Sequence, residues 1–304
     1  MDQIQAMRVF ARVVETGSFT RAADSLALPK GTVTKQIQAL EARVRVKLLN
    51  RTTRRVTVTP DGAAYYERAS RLLTELDDLD ASMTNAQANP SGRLRIDVGS
   101  STATLLLIPA IESFYERFPD IQLDMGVSDR IVDLIADNVD CVIRVGEISD
   151  QSLVARRIGY LPFINVASPG YIRRHGVPQH PHDLERSHRV VNHFSGNTRR
   201  MYPLEFNKDG EHIEPDAPYR LAVNENNAHT MAVVAGLGAS QMVTFIAQPY
   251  LDRGELVQIL PDWTREPLPI YVVYPPNRHL SAKVRAFVDW AAELFGKHPQ
   301  LQKS

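Results

Sequence analysis

Apolar residues recur at three- and four-residue spacing along the first part of the chain: Ile4, Met7, Phe10, Val13 and Val14; then Phe19, Ala22, Ala23 and Leu26; then Val33, Ile37, Leu40 and Val44. Each set is the stripe of an amphipathic helix. Gly17 ends the first helix, and Ser18 offers the second a hydroxyl N-cap. Ala27-Leu28-Pro29 turns the chain into the third, where the missing N–H of Pro29 costs little at a helix start. The outer face of this third helix opens with Lys30, Gly31, Thr34, Lys35 and Gln38. Two short helices joined by a tight turn form a helix-turn-helix unit, whose second helix enters the major groove N-terminus first. The run LLNRTTRRVTVTPDG then bends between Asn50 and Arg55 and alternates at Val56 and Val58. It reads as a short hairpin wing, with Arg51, Arg54 and Arg55 placed for phosphate or minor-groove contact.

Thr59-Pro60-Asp61 is a helix start, with a cap, a proline and a carboxylate near the positive end of the dipole. No further proline interrupts the chain to Ala88. Tyr65, Ala69, Leu72, Leu76, Leu79 and Met83 are spaced 4, 3, 4, 3, 4, a heptad seam that predicts pairing with a second subunit. A helix of roughly 28 residues spans about 42 Å and cannot bury such a seam alone. Asn89-Pro90-Ser91-Gly92 breaks it and marks a hinge.

The remainder alternates strand and helix. Leu94, Ile96 and Val98 form a strand, followed by Gly99 to Thr102 and a helix from about Ala103 to Phe118. Ile121, Leu123 and Met125 form a second strand, Ile131, Val132, Leu134 and Ile135 mark a helix, and Cys141-Val142-Ile143 a buried third strand. This order predicts a parallel sheet with right-handed crossovers. A second set follows: Val190-Val191, the Asp209-Gly210 turn, Leu221 and Val223, a helix from about Asn227 to Ala235, and a strand near Ala239 to Met242. Ile270 to Val273 and a last helix from Lys283 to Leu294 return to complete the first lobe. Ligands of such folds sit at the carboxyl ends of strands, against helix N-termini. Ser100, Ser101, Thr102 and Ser128 occupy that position in the first lobe, and Asn192 and Asn224 in the second. Hydroxyls beside free N–H groups suit a carboxylate or another anion. Arg144, after a buried strand, is either an anion partner or a member of a structural ion pair.

Charge sharpens the reading of the head. The chain of 304 residues carries 35 basic and 35 acidic side chains, but residues 1–60 hold eleven basic against four acidic. The stretch from Arg43 to Arg55 has six cations and no anion. A cationic head on an acidic body points to a polyanion such as nucleic acid. One cysteine, Cys141, excludes an intramolecular disulfide and any site built on several thiolates. Charges at Asp2, Arg8, Arg12 and Glu15 break up any secretory h-region, and Pro109 interrupts the richest apolar stretch, so a cytoplasmic protein with no membrane segment is expected.

The run from Phe10 to Gly62, above all GSFTRAADSLAL, VTKQIQALEARV and KLLNRTTRRVTVTPDG, resembles the winged helix-turn-helix of LysR-type transcriptional regulators. The resemblance covers the head nearly without gaps, and the rest of the chain has the length and order of that family. It implies an all-α winged helix-turn-helix head, a long linker helix and a two-lobed α/β effector domain similar to periplasmic solute-binding proteins. The corresponding boundaries are 1–59, 60–89 and 91–304, with one lobe at about 91–162 and 268–304 and the other at about 163–267. It further implies a bacterial, non-enzymatic regulator that binds double-stranded DNA as a homodimer or homotetramer and answers to a small-molecule co-inducer, without a cofactor. Carried over residue by residue, the DNA contacts fall on Lys30, Gly31, Thr34 and Lys35 of the recognition helix and on Arg51 and Arg54 of the wing. Two departures stand out: Arg45 replaces a usual glycine, where a left-handed helix end is expected, and Pro29 replaces a frequent serine.

Other motifs carry less. Gly236-Leu237-Gly238 lies between a helix and a strand, the reverse of the order a dinucleotide loop needs, and Gln241 stands where a small residue should be. His175, His180, His182, His188 and His193 cluster in a region read as a solvated loop rather than a zinc site, because no HExxH spacing occurs. No GxSxG elbow or phosphate loop is present. A cytosolic enzyme with a basic appendage accounts for residues 92–304 but leaves the wing arginines and the seam unexplained. A purely architectural DNA protein needs no ligand cleft.

Overall fold

The computed structural model describes residues 2–51, 56–83, 89–130, 132, 134, 137, 139–148, 150, 152–276 and 280–302, with backbone alone at 51, 71, 74, 75 and 77–83. The chain divides into two units, Met1–Ala88 and Asn89–Ser304.

The first unit contains α1 (Gln3–Thr16), α2 (Phe19–Ser25), α3 (Lys30–Val44), β1 (Leu49–Arg51), β2 (Val56–Val58) and α4 (Pro60–Met83). Asp2 caps α1 by accepting the N–H groups of Ile4 and Gln5, and Gly17 closes it in the left-handed region. Ser18 caps α2 as its sequence predicts. The predicted stripes meet: Ala6, Val9, Phe10, Val13, Ala22, Ala23, Val33, Ile37 and Leu40 form one core, closed from below by Leu48 and Leu49. The two alanines let α2 approach its neighbours closely. Pro29 stands immediately before α3, its carbonyl accepting the N–H groups of Thr32 and Val33. Arg45 ends α3 at φ 57°, ψ 27°, a left-handed conformation that a side chain with a Cβ enters only at a cost.

The second unit contains β3 (Gly92–Val98), α5 (Ser100–Thr102), a π-helical turn (Ala103–Leu107), α6 (Ile108–Arg117), β4 (Ile121–Val127), β5 (Cys141–Val145) and β6 (Val154–Leu161). It continues with β7 (Phe163–Ala167), α7 (Pro169–His175), α8 (Asp183–Arg186), β8 (Val190–His193), β9 (Phe206–Lys208), β10 (Glu211–Ile213) and β11 (Tyr219–Val223). It closes with α9 (Asn226–Val234), β12 (Ser240–Val243), α10 (Thr244–Asp252), β13 (Val257–Gln258), β14 (Leu268–Tyr274) and α11 (Ala282–Lys297). The helix after β3 starts at Ser100, three residues earlier than the sequence suggests. Pro109 supplies no N–H to its ladder, and the π turn just before it widens the coil there.

These elements build two α/β lobes. The first holds a five-stranded sheet ordered β4-β3-β5-β14-β6. The three strands expected to be parallel are so, β3 pairing with β4 and with β5, and β14 adds to them antiparallel to β5 and β6. The sheet is mixed because β14 enters it on the way back from the second lobe, against the direction of the first three strands. In the second lobe β7 pairs antiparallel with β12 and β13, β8 pairs parallel with β11, and β9 and β10 form the hairpin expected at Asp209-Gly210. One apolar cluster runs from Leu94, Ile96 and Phe114 through Phe287 and Trp290 to Met242, Phe245 and Ile246, so both lobes share core. Of the helix expected at 131–135, only Val132 and Leu134 are described, and Leu134 is buried against Val142 and Val273 on the sheet's other face. Among the described residues, no helix is long and apolar enough to cross a membrane.

Candidate functional site

In the head, the first two turns of α3 bury Val33 and Ile37 completely and turn Lys30, Gly31, Lys35 and Gln38 to solvent, with Thr34 half-exposed. This follows from the 3.6-residue period: positions on the stripe face the core, and those between them face out. No side chain caps the start of α3. The outward face therefore combines two ammonium groups, a hydroxyl, an amide and a helix N-terminus, a donor-rich set that matches base edges and phosphate.

A buried carboxylate the sequence reading missed fixes the wing to α3. Glu41, only 5% exposed, accepts the N–H groups of Leu48 (2.9 Å) and Leu49 (3.1 Å) on one oxygen, and Lys47 Nζ lies 3.5 Å from the other. Its signal was there: Glu41 falls four residues after Ile37, on the inner stripe, and directly precedes the acid-free run of cations. From below, Thr59 donates its hydroxyl to the Lys47 carbonyl (2.7 Å) and accepts Gly62 N–H (2.9 Å). Any Cβ at position 62 would strike the Leu48 carbonyl. The hairpin register pairs Leu49 with Val58 and Arg51 with Val56. The side chain of Arg51 and the whole of Arg54 lie outside the described residues.

Along α4, Tyr65 packs edge-on against Phe10 with ring centroids 5.6 Å apart, and Ala69 is buried. Tyr65 thereby joins the head's own core. Leu72 is 55% exposed and Leu76 half-buried. The side chains of Leu79 and Met83 lie outside the described residues.

In the second unit, the sequence-selected residues separate into two groups. Ser100, Ser101 and Thr102 are buried in the first turn after β3, facing the start of α9 on the other lobe. Ser100 Oγ reaches Glu225 Oε1 and lies 3.1 Å from Asp129 Oδ2. Ser101 Oγ donates to Asn227 Oδ1 at 3.1 Å. By contrast, Ser128 Oγ accepts the nearby Arg130 N–H, Asn192 Oδ1 accepts the adjoining His193 N–H, and Asn224 is exposed. Both of the former contacts are local, one just beyond β4 and one within β8. Asp129, Glu225, Asn226 and Asn227, which the sequence did not single out, complete this hydrogen-bonded junction between the lobes.

Its electrostatics follow from the partners. Burial disfavours the Glu225 anion, yet the hydrogen bonds from Ser100, Asn227 N–H and Ala228 N–H together hold its carboxyl below the usual range. Burial lowers His193 against the opposing pull of Asp129, a hydrogen bond with the Asn224 backbone and the charge of Glu225. His229 stacks on His193 at 5.4 Å, and burial with that neighbour takes its pKa down to about 4. Its Nε2 lies 3.1 Å from the Val191 carbonyl, which only accepts, and 2.9 Å from Ser240 Oγ. His193 Nε2 is buried with no hydrogen-bond partner. Arg144 is now placed: it bonds Asp97 at 2.7 Å and the Ile143 carbonyl at 3.0 Å, a structural ion pair. The other histidines divide: His175 is exposed as expected, His180 stacks on a partly exposed His182 and meets Trp263 edge-on, and His188 is buried against the Tyr171 hydroxyl. Cys141 is buried, and desolvation pushes its thiol well up.

Residues 4–63 match the family described as bacterial regulatory helix-turn-helix proteins of the lysR family, and residues 87–296 match the LysR substrate binding domain. An HTH-type transcriptional repressor of Pseudomonas aeruginosa is 38% identical over 302 residues, covering 99% of this chain and 95% of its own. The HTH-type transcriptional regulator YhjC of Escherichia coli is 40% identical over 300 residues, covering 98% and 99%. Among solved structures, the full-length Vibrio cholerae virulence activator AphB superposes with a TM-score of 0.60 at 32% identity, covering 95% of this chain and 98% of that one. With an outward donor-rich recognition helix, a wing locked beneath it and a two-lobed ligand-binding fold, the chain belongs to the LysR family of HTH-type transcriptional regulators.

Proposed function

We propose that this regulator reads duplex DNA through Lys30, Gly31, Thr34 and Lys35, with Arg51 and Arg54 reaching phosphate or the minor groove from the wing. The observation that carries the reading is the solvent face of α3, where four outward polar or small positions alternate with the fully buried Val33 and Ile37. The protein acts without catalysis, in the cytoplasm, as a homodimer or homotetramer paired through Leu72, Leu76, Leu79 and Met83 of α4. Its working parts are the head (1–59), the linker helix (60–89) and the effector domain (91–304, with lobes at about 91–162 plus 268–304 and 163–267). Ser100, Ser101 and Thr102 line the effector cleft, and the effector is anionic. Backbone N–H donors already matched by carboxylates support that last point.

Gel-shift titrations test the DNA contacts. Thr34→Ala is expected to lose about 1–3 kcal/mol on the cognate site and little on random duplex. Lys35→Ala is expected to weaken both and to lower the salt slope by about 0.9. Equal losses on specific and random DNA for both variants would remove the recognition role from α3.

A further inference from the structure

Asp129 presents its carboxylate to residues of both lobes. Oδ1 accepts the Ser100 N–H at 2.8 Å, and Oδ2 accepts the Asn226 N–H at 2.7 Å and Asn226 Nδ2 at 3.0 Å. Ser100 begins a helix on one lobe and Asn226 begins α9 on the other. Glu225 strengthens the same crossing from the opposite side, bonding Ser100 Oγ while it caps α9 through the Asn227 and Ala228 N–H groups. Two helix starts from different lobes thus converge on one carboxylate, and the carboxylate is the chain's own. A carboxylate from outside would find the same donors at the same place only after Asp129 had left.

We propose that Asp129 is a built-in competitor for the effector: in the resting protein it fills the anion cradle and clasps the two lobes, and an anionic effector binds by displacing it. The inference rests on the reading of this cleft as the effector site. It explains how a cradle made of ubiquitous backbone donors can be selective. A tethered carboxylate is present at a high effective concentration, so a simple carboxylate that offers the same hydrogen bonds does not outcompete it. A ligand must bring further contacts, and the buried, partnerless Nε2 of His193 is one polar group left to receive them. Displacing Asp129 also cuts its bonds to Asn226, which links occupancy directly to how the lobes are held.

Chemical rescue tests this in the full-length chain. Asp129→Ala is expected to melt roughly 3–6 °C lower than wild type in sodium chloride, since charge-assisted bonds across the cleft are lost. Sodium formate at matched ionic strength should restore at least half of that loss. The rescue should saturate with a half-effect at about 1 mM or weaker, the ceiling for so small a ligand. Wild type should melt alike in formate and chloride, because its cradle is full. Asp129→Ser leaves nearly the same space and keeps a hydroxyl, and serves for the same titration where the alanine variant does not fold. A variant indifferent to formate, or a wild type that responds as the variant does, overturns the clasp. Formate rescue together with effectors that prove uncharged would leave the clasp standing and overturn the anionic reading.

Discussion

Arg45 offers a direct measurement of what the head spends to keep a cation where a glycine would fit. Its φ of 57° and ψ of 27° place it in the left-handed region, at the end of the recognition helix and just before the wing. An L residue there is disfavoured by roughly 1–2 kcal/mol. Glycine removes that strain but gives the unfolded chain more freedom, a loss of about 0.4–1 kcal/mol. The net expectation for Arg45→Gly is a stabilisation of about 0.5–1 kcal/mol. Native-state hydrogen exchange at the Leu48 and Leu49 amides is the suitable assay, because both are held by Glu41 immediately after the turn and report on the head without requiring the whole chain to unfold as one. Their exchange should slow by roughly 2–5-fold, the same free energy read as a rate ratio. Arg45→Ala is the control: it deletes the same charge, keeps a Cβ and should not slow exchange. If glycine and alanine behave alike, the strain argument is wrong and any effect belongs to the guanidinium.

Three further outcomes are expected. Glu41→Ala leaves two buried N–H groups without an acceptor and should destabilise the head by about 3 kcal/mol, with loss of DNA binding, whereas Glu41→Gln keeps one acceptor and should cost about 1 kcal/mol; thermal melts and gel shifts in which the two variants match would refute the role. Leu72→Asp puts a charge on an exposed seam position and should shift sedimentation velocity profiles toward the monomer, with the head still folded. Stability should fall on acidification: the folded pKa of His229, about 4, lies below its ordinary 6.5, so the unfolded chain takes up the proton first. Its contribution is complete above about pH 7 and is lost between about pH 6.5 and 4, amounting to about 3 kcal/mol, and denaturant titrations across that range should flatten in His229→Gln.

The head was legible in the sequence because its core is local. Val33, Ile37 and Leu40 recur at helical spacing, so the faces of α3, and hence the outward set Lys30, Gly31, Thr34 and Lys35, follow from counting residues. Caps at Ser18 and the glycine end at position 17 are likewise decided within a turn of chain. The strand β6 was not legible: VARRIGYL shows no alternation, and four of its first residues are exposed at the edge of the sheet. Nor was the direction of β14, which depends on where the chain re-enters after building the second lobe.

Sequence alone determined the helical head, its charge and the family resemblance, all of which rest on spacings of three, four or seven residues. Tertiary structure alone decided the cleft. Ser100 meets Asp129 across 29 residues, Asn226 across 97 more from Asp129, and Glu225 across 125 from Ser100. No periodicity links positions so far apart, because a hydrogen bond fixes only the distance between its atoms, and the fold alone brings those atoms within reach. Ser128 Oγ and Asn192 Oδ1 each accept a backbone N–H from within two residues, local contacts that residue type and place at a strand end do not reveal.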